Sequence, residues 1–351
     1  MSETNRHQSF GQRVAGIFQR PSTPAFIGLI LIWLAIGVLA GRGLWDTLNA
    51  GIIIATFLVI AGIGQLFVIT VGNGGIDLSV SYIMTLSAYL GCTIMAGQDE
   101  NIALGLVVGV VAGAVAGTIS AVLIEVVGMP PLVGTLAVGF GIQTLAQIYS
   151  GNVVGVASPA LSDFTTAQIG PIPVIGVVGV VIVIIFAIIL KRTAYGRKVE
   201  AVGQKPVAAG LAGARPSLIR GSAFVLSGAT AGLAGVLLAA YSGGPSLGLG
   251  TPYQLSTIAV VVLGGSLIAG GRGILPGLWA AAVLLTLLTT LGNITRLSSG
   301  YQYMIQGALI VLVLAIARDP SRRRRSNRLR DDADEEKAAE PALISEQQKE
   351  A

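Results

Sequence analysis

The amino-acid sequence predicts an all-α integral membrane protein of about ten transmembrane helices, and three observations lead to this fold class. Of the 351 residues, 53% are hydrophobic and 11% are charged, and the mean hydropathy is +0.79. A water-soluble domain of this composition would expose large apolar patches. Apolar runs of about twenty residues, the length of a helix that crosses about 30 Å of hydrocarbon, follow one another along the chain. The basic residues lie between these runs.

The distribution of basic residues predicts the topology. The apolar runs place spans at 25–41, 50–72, 78–97, 102–124, 130–149, 172–190, 221–241, 254–270, 274–292 and 303–317. If the N-terminus is cytoplasmic, all of the 22 Lys and Arg residues except Arg42 and Arg296 lie on the cytoplasmic side. This asymmetry follows the positive-inside rule and requires an even number of spans. We therefore expect both the N- and C-termini in the cytoplasm and a location in the cell inner (plasma) membrane.

The chain is predicted to have three parts. Residues 1–24 form a polar cytoplasmic N-terminal segment, which is no signal peptide because many apolar runs follow the first one. Residues 25–317 form the transmembrane part, which contains a long charged cytoplasmic connection at 191–220. Residues 318–351 carry a run of four arginines at 322–325 and then turn acidic, a composition that cannot bury a core. They predict a disordered cytoplasmic tail whose arginines bind anionic lipid headgroups rather than a specific protein or nucleic-acid partner.

Several site classes are excluded by residue counts. Cys92 is the only cysteine and His7 the only histidine, so no disulfide within the chain and no His-based metal site is expected. There is no G-x-x-x-x-G-K-[ST] phosphate-binding loop, so ATP would be bound by a partner subunit. Because no cluster of His, Asp, Glu or Cys could form a catalytic site, we expect no cofactor in this chain and no enzyme activity.

Glycines recur every four residues in two predicted spans. They are Gly109, Gly113 and Gly117 in one span and Gly228 and Gly232 in another. Helices in lipid gain little from the hydrophobic effect between themselves, so they depend on the close backbone approach that small residues permit. The repeats predict tight packing within one subunit, with an interface between subunits as the alternative.

The segment 72–79 predicts a helix break between the second and third spans, because it holds three glycines and Asp77 in an apolar context. In one interpretation, Asp77 caps the third span by accepting backbone N–H bonds. In the other, the segment is a broken-helix element in which Asn73 and free backbone groups face a water-filled cavity. The two interpretations are compatible.

Four motifs carry a family resemblance. They are Gly74–Val80, Thr193–Arg197 with Ala201–Gly203, Ala208-Ala209 with Leu211–Gly213, and Ala259–Leu267 with Gly270–Gly273. In this order and at these separations, residues 25–317 resemble the permease subunits of ribose-type sugar ABC importers. Three residues depart from the family pattern. Ser81 stands where glycine is usual, Gly210 where arginine is usual, and Ala214 where isoleucine is usual.

The resemblance implies a division of labour among subunits. It implies a dimer with a second permease copy or a paralogue, an ATP-binding-cassette ATPase with two fused cassettes on the cytoplasmic side, and an extracytoplasmic sugar-binding protein. The coupling helix of the family maps onto Gly203, Gln204, Ala208, Ala209, Leu211, Ala212 and Gly213. Four of these residues give a small apolar ridge that could seat in an ATPase groove. Alternatively, the loop is a surface helix whose basic residues only satisfy the topology.

A sugar path needs amide and hydroxyl partners and aromatic faces without fixed charge. Beside Asp77, the candidates are Asn73, Gln143, Gln147, Tyr149, Tyr253 and Gln254. Gln143 and Gln147 share a helix face, but such a pair could also form an interhelical hydrogen bond. The last three candidates lie near span ends, where an interfacial aromatic belt is the alternative.

Two other transport functions compete with the sugar importer. A secondary transporter driven by protons or sodium usually needs ionisable groups deep in the membrane, whereas only Asp77 and Glu125 lie near the apolar spans. Energy supplied by ATP is therefore favoured. A branched-chain amino acid ABC permease shares the general plan, but it is not expected to carry this set of glycine-rich segments.

Overall fold

The structure is a computed structural model that describes residues 21–40, 43–151 and 155–316. Of the predicted parts, most of the N-terminal segment 1–24 and all of the tail 318–351 lie outside these residues. The helices are α1 (Thr23–Ala40), α2 (Leu44–Thr70), α3 (Val80–Met95), α4 (Ile102–Glu125), α5 (Pro131–Ser150), α6 (Pro159–Thr166), α7 (Val174–Arg192), α8 (Ala194–Gln204), α9 (Pro206–Leu211), α10 (Pro216–Ser242), α11 (Tyr253–Leu263), α12 (Leu275–Ile294) and α13 (Ser299–Ile316).

An all-α membrane fold is confirmed, with one small exception. A two-stranded antiparallel hairpin joins β1 (Gln168–Ile169) to β2 (Ile172–Pro173), with Ile169 opposite Ile172. It follows α6 and leads directly into α7. By its contacts the chain separates into two units after residue 310, and every contact discussed below lies within residues 1–310.

A helix occupies each of the ten predicted spans, but the helices differ in length. Six are long and apolar enough to cross a membrane, namely α2, α4 with the 3₁₀ turn before it, α5, α7, α10 and α12. The apolar helices α1, α3 and α11 are shorter. The span predicted at 254–270 is wrong at its end, because α11 stops at Leu263. Its chain continues through turns in which Gly265, Gly270 and Gly271 adopt positive φ angles, which a right-handed helix cannot contain.

The core is built on α2 and α10, each 27 residues long. Within the most apolar 18-residue window of each helix, 89% of α2 and 78% of α10 is buried by the rest of the chain. A helix that is apolar on all sides and buried on all sides belongs to the centre of a bundle. By contrast, α4, α5 and α7 are mostly exposed, and α4 presents Val107, Val111, Val115 and Ile119 outward at a spacing of four. This outward apolar face suits contact with lipid hydrocarbon.

The glycine repeats pack α4 against α10 within one subunit, as the first interpretation predicted. A Cβ atom on Gly113 would collide with the backbone of Gly228, and one on Gly117 would collide with the carbonyl group of Phe224. A Cβ atom on Gly232 would likewise meet the carbonyl oxygen of Gly109. The two helices therefore touch backbone to backbone, which only glycine permits.

Candidate functional site

The predicted helix break between α2 and α3 is present, and we call residues 71–79 the α2–α3 loop. Gly72, Asn73 and Gly74 follow one another with φ angles of 80°, 59° and 67°. Three successive residues in the left-handed region cannot continue a right-handed helix. Asn73 is exposed, and its side-chain type is one of the few besides glycine that tolerate this conformation.

Asp77 is fully buried at the end of this loop, where it organises the entry into α3. Its Oδ1 accepts the backbone N–H of Ser79 at 2.9 Å and the Ser79 hydroxyl at 2.5 Å. The N-cap residue of α3 is Ser79, so Asp77 accepts an N–H at the helix boundary rather than from the first turn. Its second oxygen, Oδ2, is also buried.

Two neighbouring helices hold the α2–α3 loop in place. With its amide oriented to satisfy both partners, Gln65 of α2 donates to the Asp77 carbonyl oxygen at 3.1 Å and accepts the Asp77 N–H at 3.2 Å. The Leu78 N–H donates to Oγ1 of Thr135 on α5 at 3.1 Å. Because both the backbone and the side chain of Asp77 are bonded, the loop is a fixed element of the fold.

A small polar cavity of about 30 Å³, with room for roughly one water molecule, lies beside this element. It is lined by Ser81, Tyr82 and Thr85 of α3, by Gln143, Ala146 and Gln147 of α5, and by Leu247 and Thr251 of the loop before α11. None of these lining residues is charged. The Thr85 Oγ1 accepts the Gly250 N–H at 3.2 Å, which ties the loop before α11 to α3.

The structure brings together only part of the predicted solute path. Gln143 and Gln147 share the cavity, as their spacing of four on one helix allows. The other candidates, Asn73, Asp77, Tyr149, Tyr253 and Gln254, are not among its lining residues. Sequence reasoning missed Ser81 and Thr85 as lining residues, although two hydroxyls four apart in an apolar helix were a usable signal.

The predicted coupling segment folds as α8 and α9 after α7. Thr193 caps α8 by accepting the Gly196 N–H at 3.1 Å, and Lys191 pairs with Glu200. Pro206 opens α9 at a position where proline is favoured. Both helices are short, and the segment ends where α10 begins.

The exposed ridge of this segment differs from the predicted one. Ala209 is only 6% exposed, so its methyl group packs inward instead of toward a partner. The most exposed apolar side chains are Val207 at 78% and Leu211 at 87%, which lie four residues apart on one face. Ala208, Ala212 and Gly213 are also exposed. Val207 was missed because the spacing alone did not show which face of α9 turns inward.

Glu125, the second acidic residue near the spans, forms an ion pair. Arg220 at the start of α10 donates from Nε to Oε1 at 2.7 Å and from Nη2 to Oε2 at 2.6 Å. The two side chains are 10% and 19% exposed. This bidentate geometry joins the ends of α4 and α10. It occupies both carboxylate oxygens of Glu125, so the residue has a structural partner.

Comparison with known proteins identifies the family. The family model described as "Branched-chain amino acid transport system / permease component" matches residues 47–314. The chain is 31% identical over 302 residues to the ribose import permease protein of Bacillus subtilis, covering 84% of this chain and 92% of that protein. No solved structure matches it.

Two further relatives agree with this match. The chain is 29% identical to the fructose import permease protein of Rhizobium meliloti, with 84% of this chain and 85% of the relative covered. It is 30% identical to the D-allose transport system permease protein of Escherichia coli, with 74% and 79% covered. The matched region contains the α2–α3 loop, the polar cavity and the coupling segment. The predicted resemblance is confirmed, and this chain belongs to a family of transport-system permease components, multi-pass membrane proteins that are not themselves enzymes.

Proposed function

We propose that this chain is the permease subunit of an ATP-binding-cassette importer that passes a monosaccharide into the cytoplasm along a path that widens from the polar cavity during transport. The single observation that carries the proposal is the lining of this cavity. Gln143, Gln147, Ser81, Thr85 and Tyr82 line it together, and none of them carries a fixed charge. Sugars are recognised by such neutral donors and acceptors together with a flat aromatic face.

The same lining disfavours the two alternative substrates. A branched-chain amino acid carries an ammonium and a carboxylate group, which need charged or strongly dipolar partners once water is removed. A proton-driven carrier needs an ionisable group on the solute path, but Glu125 is paired with Arg220, and neither it nor the buried Asp77 lines the cavity. Although the family description names amino acids, the three relatives described above carry the names of sugar permeases.

The proposed topology has ten crossings in the inner membrane with both termini cytoplasmic. The 11 residues of α11 extend about 16 Å, half of the hydrocarbon thickness. The loop before α11 would therefore enter the membrane to complete this crossing. Irregular backbone is tolerated at that depth where it lines a cavity, and Leu247 and Thr251 of this loop do so.

The proposed partners are those that the family resemblance implies, and the topology assigns each to one side of the membrane. An ATPase with two cassettes would dock on the cytoplasmic side at Val207 and Leu211 of α9. These two exposed aliphatic side chains form an apolar patch in a basic segment, and a bound partner would remove this patch from water. An external binding protein would deliver the sugar, and a second permease copy or paralogue would complete the dimer. The tail 318–351 would remain in the cytoplasm near anionic lipid.

Uptake measurements test the substrate class. Vesicles containing the chain with its ATPase and binding protein are offered labelled D-ribose, D-fructose and L-leucine. We expect ATP-dependent sugar uptake that falls about fivefold for each hydrogen bond lost in Gln143→Leu or Gln147→Leu, which corresponds to ~1 kcal/mol. Thr144→Val, on the same helix but outside the cavity lining, is the matched control. Leucine uptake without sugar uptake would refute the proposal.

A further inference from the structure

Three distant segments of the chain meet in a cluster that has no space for side chains, and we call it the glycine junction. It consists of Gly72 in the α2–α3 loop, Gly203 at the end of α8, and Gly270 and Gly271 in the turn between α11 and α12. A Cβ atom on Gly203 would collide with the Thr70 carbonyl oxygen and lie 2.5 Å from the Gly271 nitrogen. A Cβ atom on Gly270 would lie 2.5 Å from the Gly72 Cα. The three backbones are therefore in direct contact.

Two hydrogen bonds fasten the junction. The Gly271 N–H donates to the carbonyl oxygen of Thr70, the last residue of α2, at 2.7 Å. The side-chain amide of Gln204 donates from Nε2 to the Gly271 carbonyl oxygen at 3.2 Å. Gln204 is the only side chain in these two bonds, and it is the last residue of α8.

The junction lies between two elements that the proposed function uses. On one side, Gln204 is followed within three residues by Val207, which begins the exposed apolar face of α9. On the other side, Gly72 belongs to the α2–α3 loop, which is fixed through Asp77 and Ser79 to the start of α3. The first turns of α3 then carry Ser81 and Thr85 into the cavity.

We infer that Gln204 is a positioning residue that, through the glycine junction, transmits movement of the ATPase-facing segment to the α2–α3 loop and so to the cavity. This inference rests on the proposed function and deepens it. Backbones in direct contact have no flexible side chain between them to absorb a displacement, so a shift of α8 displaces Thr70 and Gly72 as well. The backbone contact resists movement of α8 toward Gly271, and the hydrogen bond from the Gln204 amide resists movement away from it. Displacements in both directions are therefore transmitted.

The test measures coupling rather than stability. In vesicles with the ATPase and binding protein, sugar transported per ATP hydrolysed is compared for the native chain, Gln204→Leu and Gln204→Glu. Gln204→Glu keeps the size and shape of the side chain, Gln204→Leu is slightly smaller and apolar, and both remove the donor to Gly271. We expect ATP hydrolysis within twofold of the native rate and at least a fivefold lower transport per ATP. Gly221→Ala is the control, since its Cβ would meet only Ala121, at 3.5 Å.

A labelling experiment adds an independent readout. The native Cys92 is buried, so a cysteine introduced as Ile76→Cys in the α2–α3 loop reports on that loop. We expect its labelling rate to change on ATP binding in the otherwise native chain and to lose this dependence when Gln204→Leu is added. A Gly203→Ala variant that assembles should show the same loss.

Several results would overturn the inference. Unchanged transport per ATP in both Gln204 variants would do so, and so would ATP hydrolysis that falls in parallel with transport, because Gln204 would then act at the ATPase contact. ATP-dependent labelling that persists in Gln204→Leu would also contradict it. Failure of the proposed function is distinguishable, because the native assembly itself would then show no ATP-dependent sugar uptake.

Discussion

The ion pair between Glu125 and Arg220 gives a stability prediction whose size follows from its geometry. Two bonds of 2.7 Å and 2.6 Å place the charge centres about 4 Å apart, which corresponds to ~4 kcal/mol of attraction at an effective dielectric constant of about 20. Desolvation and side-chain ordering oppose this attraction. With side chains only 10% and 19% exposed, we expect a net coupling of about 2 kcal/mol.

A double-mutant cycle measures this coupling. Glu125→Gln and Arg220→Gln are prepared singly and together, and thermal unfolding of the purified chain is followed in detergent. Each single variant should unfold about 5 °C lower, because it leaves one charge without its partner. The double variant should lose less than the sum of the two. Additive losses would show that the two side chains do not interact, and would refute the reasoning.

Three further predictions concern packing, docking and the loop. Gly113→Leu should destabilise the chain by about 3 kcal/mol in the same unfolding assay, because its side chain meets the α10 backbone, whereas Gly221→Ala should change little. Leu211→Glu should abolish co-purification of the ATPase while membrane insertion is retained, and undiminished co-purification would contradict the docking face. Asp77→Ala should cost about 2 kcal/mol in the unfolding assay by removing two hydrogen bonds, and Asp77→Asn, which keeps an acceptor, should cost less.

The sequence predicts the helices of the bundle well because their signals are local. Apolar runs of sufficient length, and the glycines at 72 and 74 that interrupt them, act within a few residues of where they stand. The repeat at Gly109, Gly113 and Gly117 also predicts its contact correctly, since close helix packing leaves few residue types to choose from. The end of α11 was missed because hydropathy does not distinguish an apolar helix from an apolar turn.

The candidate site was predicted less completely because it depends on contacts between distant segments. Gln143 and Gln147 were found as a pair on one helix, but their partners on α3 come from the fold. The burial of Ala209 depends on how α9 packs, and its sequence neighbours are equally small and apolar. The bond between Gln204 and Gly271 spans 67 residues of sequence, and no periodicity within one helix signals it.

The contact between α4 and α10 also limits where this protein can change shape. Two helices that touch along their main chains through Gly113, Gly228 and Gly232 cannot slide or rotate against each other without steric overlap. They should therefore travel together as one rigid body during a transport cycle. Rearrangement is left to helices held by longer side chains, above all α5, whose tilt relative to α3 would change the width of the passage between alternating states.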